Sequence, residues 1–348
     1  MPQQNDITNK RKKEHIELCL TKKVEFKEKT NGFDNYEFKH FALTEIDIKK
    51  ITFFTRFFNK KINYPFLISC MTGGTSEAEN INSRLADVAS GLNIILGVGS
   101  QRQALEDKKY HNSYKVIRRK APGIPILGNI GAAQLTKNTS IDQIKSLADM
   151  IEADAMVVHL NPVQELLQPE GEIEFSGLRK KITKLVKELR LPVIVKEVGS
   201  GISKEAAIIL LDSGVKGIDV AGAGGTSWAG VELLRSKNIN DSILWDWGLP
   251  TSFCIREVAS LKKKFNFTLI GSGGINSAME MTKAFALGSD ITASARVILQ
   301  TLINQGEEDV IKMIKDWFNV LSKVMFLTGS KNLKELKTNK IFKRESLT

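Results

Sequence analysis

The stretch HLNPVQELLQPEG, residues 159–171, places several reactive or ligand-binding side chains directly after the apolar run AMVV. His159, Asn161, Gln164 and Glu165 lie within seven positions. They could line the mouth of an active site, or they could form an ordinary polar loop. A single histidine at the end of a strand more often makes a structural hydrogen bond than it transfers a proton, so His159 is expected to orient or pack.

Lys196 is a second candidate, because it interrupts the apolar run PVIVKEV. The two-residue repeat of a strand puts Ile194 and Lys196 on one face and Val195 on the other. If Lys196 faces a buried interior, its ammonium needs a partner, since an unpaired buried charge is very costly. The partner could be an anionic cofactor ring or a carboxylate such as Glu197 or Asp219.

These side chains need elements to position them, and the chain repeats one pattern from residue 64 onward. Short, nearly continuous apolar runs end in Gly, Ser, Thr, Asn or a charge, as strands buried on both faces do. Eight such runs occur, at residues 64–71, 93–100, 124–131, 155–160, 191–199, 217–224, 267–274 and 289–296. Amphipathic stretches lie between them, one with Ser140 as its N-cap and one ending at Gly214. Eight strand–helix units predict an α/β fold, a (β/α)8 TIM barrel.

The alternative fold, a doubly wound open sheet, would carry G-x-G-x-x-G after its first strand, where this chain has MTGG. Residues 1–63, which include FDNYEFKHFAL, are predicted to form a hairpin or an arm that precedes and caps the barrel, and residues 64–348 the barrel itself. The stretch EEDVIKMIKDWFNVLSKVMF is expected to complete the outer ring of helices.

A barrel places its functional residues at the carboxyl ends of its strands. There the last two units end in GSGGI and SAR, which includes Arg296. Loops after strands 7 and 8 often bind phosphate through backbone amides. Each loop alone could be only a tight turn, but their pairing favours a phosphate site.

Composition limits the function classes. The 348 residues are 42% hydrophobic and carry a formal charge of +11. That charge has three explanations: a surface for nucleic acid, a site for a phosphorylated small molecule, or solvated lysine-rich helix faces. No nucleic-acid-binding motif is present, and no apolar stretch approaches the length of a membrane span. The N-terminus MPQQNDITNKRKKEHIE is polar where a signal peptide would be apolar, which predicts a cytoplasmic protein. Three cysteines without metal-type spacing predict reduced thiols.

Nine motifs, in order along almost the whole chain, give a resemblance to the FMN-dependent type 2 isopentenyl-diphosphate isomerases. They are RKKEHI, MTGG, GVGSQR, GNIGAAQL, HLNPVQE with QPEG, VKEVGSGIS, DVAGAGGTSW, WDWGLPT and GSGGI.

The resemblance implies a role for each matching residue. Gln164 would lie beside the reacting carbons, with His159 orienting, and Glu165 would bind Mg2+. The residues that would bind the substrate diphosphate or lie near it are Arg11, Lys12, His15, Ser100, Gln101, Arg102 and Asn129. The residues that would bind FMN are Met71, Thr72, Gly73, Ser100, Asn129, Lys196, Thr226, Gly273, Gly274, Ala295 and Arg296.

The resemblance also implies a reaction, in which isopentenyl and dimethylallyl diphosphate interconvert through acid–base chemistry of reduced FMN. Mg2+ and NADPH, the latter as reductant, would be required, and the chain would form a homo-tetramer or octamer. From composition and motifs, neither nucleic acid nor a membrane is expected as a partner. The rival in the same cofactor class is an FMN-dependent hydroxy-acid oxidase or dehydrogenase, which would need a catalytic His, Cys or Ser in an active-site loop. The four histidines all precede the sixth apolar run, which argues against that rival.

Overall fold

The computed structural model describes residues 4–21, 24–137, 139–237 and 240–347. Eight parallel strands close into a barrel in which every strand pairs with its sequence neighbours and the last pairs with the first. The strands are β4 (Phe66–Ile68), β5 (Ile95–Gly97), β6 (Ile126–Gly131), β7 (Ala155–Leu160), β8 (Val193–Glu197), β9 (Gly217–Asp219), β10 (Thr268–Gly271) and β11 (Ile291–Ser294). Each lies within one of the eight apolar runs, so the predicted barrel is confirmed.

Helices surround the barrel and also cover its ends. They are α1 (Gln4–Cys19), α2 (Ser76–Leu92), α3 (Arg102–Glu106), α4 (Asn112–Lys120), α5 (Ala132–Thr136), α6 (Ile141–Met150), α7 (Pro162–Leu167), α8 (Leu178–Glu188), α9 (Lys204–Asp212), α10 (Trp228–Ser236), α11 (Thr251–Ala259), α12 (Ala278–Ala286), α13 (Arg296–Asn304), α14 (Glu307–Leu327) and α15 (Leu333–Leu336). None of the helices in the described ranges is long and apolar enough to cross a membrane.

The helix boundaries follow local chemistry. Ser140 begins α6 with a reciprocal capping box to Gln143, in which each side chain bonds the other residue's backbone. Ser203 caps α9 through the amide of Ala206. Past the end of α9, Gly214 has a positive φ of 91°, which ends the helix as glycine commonly does.

The N-terminal segment contains both a hairpin and an extended arm. The hairpin is β2 (Thr55–Phe57) with β3 (Lys60–Ile62), just before the barrel. Within residues 33–43, β1 (Tyr36–Phe38) pairs with the C-terminal β12 (Ile341–Lys343), antiparallel. Tyr36 is buried, and a partner so distant along the chain leaves no local signal in the sequence.

The barrel interior and the helix layer form two separate apolar clusters. Inside the barrel, Leu67, Ile95, Leu127 and Ile194 pack with Phe57 of the hairpin. The hairpin therefore closes the amino-terminal end of the barrel. The opposite end is left for function.

Candidate active site

A pocket at the carboxyl end of the barrel receives residues from all eight strand ends and from α1. It gathers every site residue predicted from the sequence except Gln101: Arg11, Lys12, His15, Met71, Thr72, Gly73, Ser100, Arg102, Asn129, His159, Gln164, Glu165, Lys196, Thr226, Gly273, Gly274, Ala295 and Arg296. Residues more than 280 positions apart along the chain meet here, so barrel closure creates the site.

Gln101 has a structural place. Its side chain is fully buried outside the pocket lining. Its Oε1 accepts from the backbone amide of Asn129 at 2.9 Å, and its Nε2 donates to the carbonyl of Leu147 at 2.9 Å. Both ends of the amide are therefore used to hold β6 and α6, whereas its neighbours Ser100 and Arg102 line the pocket.

Helix α1 brings cations over the mouth. Lys12 Nζ donates to the carbonyl of Gly73 and lies 3.5 Å from the hydroxyl of Tyr114. Burial, and then the neighbouring Arg11, lower the pKa of Lys12 to about 7. Burial, and then Arg102, also lower the pKa of Arg11. These positive charges are crowded and desolvated, as in a site for a multiply charged anion.

Glu232 on α10 connects α1 to the reacting end of the pocket and was not predicted. This fully buried carboxylate contacts His15 Nε2 at 2.9 Å, accepts from Gln164 Nε2 at 3.1 Å, and pairs with Arg235. Burial alone would raise the pKa of Glu232, but the hydrogen bond from His15 and attraction to Arg235 lower it overall. The sequence signal that could have identified Glu232 is its charge within the apolar run AGVELL.

Gln164 and Glu165 share one partner, Asn161. The Asn161 amide donates to Gln164 Oε1 at 3.1 Å and to Glu165 Oε1 at 2.9 Å. The other oxygen of Glu165 accepts from the backbone of Glu172 at 2.7 Å. Both side chains are thereby fixed at the pocket wall.

A hard cation fits this corner of the pocket. Asn161 Oδ1 is buried and has no hydrogen-bond partner among the described residues. Two oxygen donors, Asn161 Oδ1 and the Glu165 carboxylate, suit Mg2+, which usually keeps one or two protein ligands and completes its shell with water and phosphate oxygens. In the described part of the chain, no cluster of three or more His, Cys, Asp and Glu side chains provides an all-protein metal site.

His159 is a neutral, oriented imidazole. Its Nδ1 lies 2.9 Å from Asn129 Oδ1, and Asn129 Nδ2 donates to the carbonyl of Val98. Burial, and then the charge of Lys196, lower the pKa of His159 to about 3. At neutral pH His159 is therefore uncharged and cannot act as an imidazolium acid.

Lys196 lines the pocket, and Ile194, which alternation puts on the same face of the strand, lies in the barrel interior. Its Nζ donates to the carbonyl of Glu197 at 2.6 Å. Burial raises the pKa of Asp219, and Lys196 opposes that rise without forming an ion pair among the described residues. The Glu197 carboxylate instead accepts amides of the following loop, from Val198 and Gly199 at 2.6 Å each.

The glycine loops after β9 and β10 line the pocket and pack backbone against backbone. A Cβ on Gly225 would lie 2.5 Å from the amide nitrogen of Gly274. Gly273 and Gly274 have φ of 103° and 66°, which favours glycine. Beside them, Ala295 is the N-cap of α13 and makes no side-chain capping bond, so the first amides of the helix are available to an anion. We use the term phosphate cradle for Gly224–Thr226, Gly273, Gly274 and Ala295–Arg296.

Comparisons with known proteins agree with this geometry. The family described as FMN-dependent dehydrogenase matches residues 136–343. An isopentenyl-diphosphate delta-isomerase of Pelodictyon phaeoclathratiforme is 42% identical over 96% of this chain and 96% of its own length. The enzyme of the same name from Chlorobium limicola is 44% identical over 94% and 93%, and that from Nostoc sp. is 42% identical over 95% and 94%.

Solved structures with similar folds are more distant in sequence. A lactate oxidase of Pediococcus acidilactici superposes with a TM-score of 0.68 at 17% identity, covering 96% of this chain and 90% of its own. A mandelate oxidase mutant with an FMN adduct has a TM-score of 0.65 at 13% identity, covering 97% and 99%. At this identity they establish the fold alone.

The fold, the residues gathered at the mouth of the barrel and the near full-length similarity lead to one conclusion. The chain belongs to the FMN-dependent dehydrogenase family and, within it, to the isopentenyl-diphosphate delta-isomerases, so it is an enzyme of the isomerase class.

Proposed function

We propose that this enzyme interconverts isopentenyl and dimethylallyl diphosphate, using FMN reduced by NADPH, together with Mg2+. The main support is that the pocket joins the phosphate cradle and the cations of α1 around Gln164, a neutral amide. The carboxylate beside that amide, Glu232, is already engaged by His15 and Arg235. Shifting the double bond adds a proton at one terminal carbon and removes one from C2, with no net oxidation. Reduced FMN supplies the group that donates and accepts these protons when it is bound.

In this proposal, the substrate diphosphate binds at the cationic mouth formed by Arg11, Lys12 and Arg102. Guanidinium and ammonium groups bind phosphate oxygens through charge-assisted hydrogen bonds, which are stronger than neutral ones. Glu165, with Asn161, would hold Mg2+ against the same diphosphate. Anchoring the charged end leaves the hydrocarbon end to extend into the pocket.

Gln164 then orients the reacting carbons and cannot itself act as an acid or base near neutral pH. Its Nε2 bonds Glu232 and its Oε1 bonds Asn161, which fixes the plane of the amide. The neutral His159 fixes Asn129 in the same way. A hydroxy-acid oxidase would need a catalytic base in the pocket. The low pKa of His159 makes it a weak base and argues against that function.

One assay tests the reaction. The protein is incubated anaerobically with FMN, NADPH, Mg2+ and isopentenyl diphosphate in D2O, and deuterated dimethylallyl diphosphate is expected. No such product, or full activity without flavin, would contradict the proposal.

Two neighbouring variants separate the assigned roles. Gln164→Asn withdraws the amide by one methylene and should cut turnover while FMN stays bound. Glu165→Gln should mainly raise the Mg2+ concentration needed for half-maximal rate, because it removes a charged ligand. Equal loss of FMN from both variants would show that neither role is correct.

Assembly and location belong to the same proposal, as a cytoplasmic homo-tetramer or octamer. Ile243 and Trp247 are 87% and 59% exposed in the single chain, which suits burial against another copy. Light scattering coupled to size-exclusion chromatography measures the mass, and a monomer at micromolar concentration would contradict this part.

A further inference from the structure

Residues 24–32, which we name the strap, cross the outer side of the phosphate cradle. The carbonyl of Val24 accepts from the amide of Ser227 at 2.7 Å, and the amide of Phe26 donates to the carbonyl of Gly225 at 3.4 Å. Glu25 forms an isolated antiparallel bridge with Thr226. The strap therefore lies directly on the loop that follows β9.

Asn31, near the end of the strap, has every polar atom of its side chain in use. It is 6% exposed, and its Nδ2 donates to the carbonyl of Gly274 at 2.7 Å and to Glu280 Oε1 at 2.6 Å. Its Oδ1 accepts from the amide of Phe33 at 3.1 Å. One amide thus joins the strap to the loop after β10 and to the first turn of α12.

The backbone of Asn31 also touches the other loop of the cradle. A Cβ on Gly224 would collide with the amide nitrogen and Cα of Asn31, so these backbones are already in contact. Gly225 in turn packs against Gly274. Asn31 therefore contacts both loops whose spacing defines the cradle.

We propose that Asn31 is a positioning residue, which sets the spacing of the two glycine loops and thereby selects a flavin that carries a phosphate. This inference rests on the proposed function, which places the FMN phosphate at these loops. Asn31 does not line the pocket, so it acts through the backbone of Gly224 and Gly274. Asn31 should therefore contribute to binding affinity only for ligands that place a phosphate against these two loops.

The test compares FMN with riboflavin, which has the same ring system without the phosphate. Dissociation constants come from flavin fluorescence quenching on the full-length protein. Asn31→Ala removes the shorter of the two side-chain bonds to the Gly274 carbonyl, leaving the 3.3 Å bond from Asn276 Nδ2, and it removes the acceptor of the Phe33 amide. FMN affinity should fall about tenfold while riboflavin affinity stays within about twofold. The ratio of the two affinities is the readout, because a general loss of stability would weaken both ligands.

Two further variants make the test sharper. Lys29→Met removes another strap contact, the bond from Lys29 Nζ to the carbonyl of Gly248, which is not part of the cradle, and it should leave the ratio unchanged. Asn31→Asp keeps the shape but removes both donors and adds a charge. If the affinity ratio falls in Asn31→Asp but not in Asn31→Ala, the cause would be charge repulsion of the phosphate. That result would overturn the positioning role of Asn31. If Asn31→Ala does not fold, Asn31→Ser is measured in its place with the same expectation.

The outcomes separate the inference from its premise. A wild-type protein that binds FMN tighter than riboflavin, with the preference reduced in Asn31→Ala, supports positioning. A preserved preference, or a parallel loss of both flavins, overturns the inference while leaving the cradle intact. Equal binding of both flavins by the wild-type protein overturns the cradle assignment itself.

Discussion

The pocket has two ends suited to anions, and they are built in different ways. At the α1 end, Arg11 and Lys12 stand close to Arg102, and burial and mutual repulsion lower the pKa of both α1 residues. At the β10–β11 end, glycine loops line the pocket, and the guanidinium of Arg296 is paired with Glu25 of the strap. The first end, which we call charge-built, binds anions through its cations. The second, which we call shape-built, binds them through the close fit of its backbone. A charge-built site suits a diphosphate that binds and leaves each turnover, whereas a shape-built site suits a resident phosphate.

The largest effect is expected from filling the shape-built end. In Gly274→Ala, the new methyl group would collide with the carbonyl of Gly224 and lie 2.8 Å from the amide nitrogen of Gly225. FMN affinity should fall by about a hundredfold or more in fluorescence titration, since backbone atoms on both sides must move.

Gly177→Ala is the matched control. Gly177 has a similar φ of 75°, but its added Cβ has no atom within 4 Å. It should lower the free energy of unfolding by about 1 kcal/mol and leave FMN affinity unchanged. If both alanines weaken FMN equally, backbone strain and not cradle shape would be the cause.

Removing charge from the other end should have the next largest effect. Arg11→Ala should weaken inorganic pyrophosphate about tenfold to a hundredfold in calorimetry, the size of one or two charge-assisted hydrogen bonds. FMN affinity should stay the same. Weakening of FMN by a similar factor would remove the distinction between the two ends.

The charge-built end should also depend on pH. The pKa of Lys12 is about 7, so in the free protein its ammonium is present below that pH and is lost as the pH rises through it. Bound pyrophosphate favours the charged form, so binding should take up a proton above pH 7. The affinity should then fall by up to about tenfold per pH unit relative to Lys12→Met, which carries no titrating group. Calorimetry at pH 8 in buffers of different ionisation enthalpy counts the proton, and identical uptake in Lys12→Met would assign it elsewhere.

The smallest effect concerns Glu25, which pairs with Arg296 at the shape-built end. Glu25→Gln removes a negative charge that competes with a phosphate for that guanidinium. FMN affinity should rise by roughly two- to fivefold, because Glu25 is 44% exposed and exposed ion pairs contribute about 1 kcal/mol or less. Weaker FMN binding would mean that Glu25 helps to hold Arg296 in place for the cofactor.

Much of this arrangement could be predicted from the sequence, and the exceptions have physical reasons. The strand positions and the polar residues at their carboxyl ends were found because each lies in one local pattern. The resemblance, through GVGSQR, placed Gln101 with Ser100 and Arg102, but the Gln101 side chain points away from the pocket and bonds the backbone of Asn129. Glu232 and Asn31 were missed because their partners are distant, with 217 positions between His15 and Glu232 and 243 between Asn31 and Gly274.

The sequence by itself determined the barrel and the polar edge at which function lies. Strands buried on both faces must be apolar throughout, so eight such runs are visible without any knowledge of contacts. Only the tertiary structure decided which polar groups meet and in what charge state. The neutral His159, the weakened base strength of Lys12 and the bonds of Asn31 all depend on burial and on partners brought together by barrel closure and the N-terminal crossing. Desolvation and hydrogen bonding act over a few ångströms in space, and spacing along the chain does not encode them.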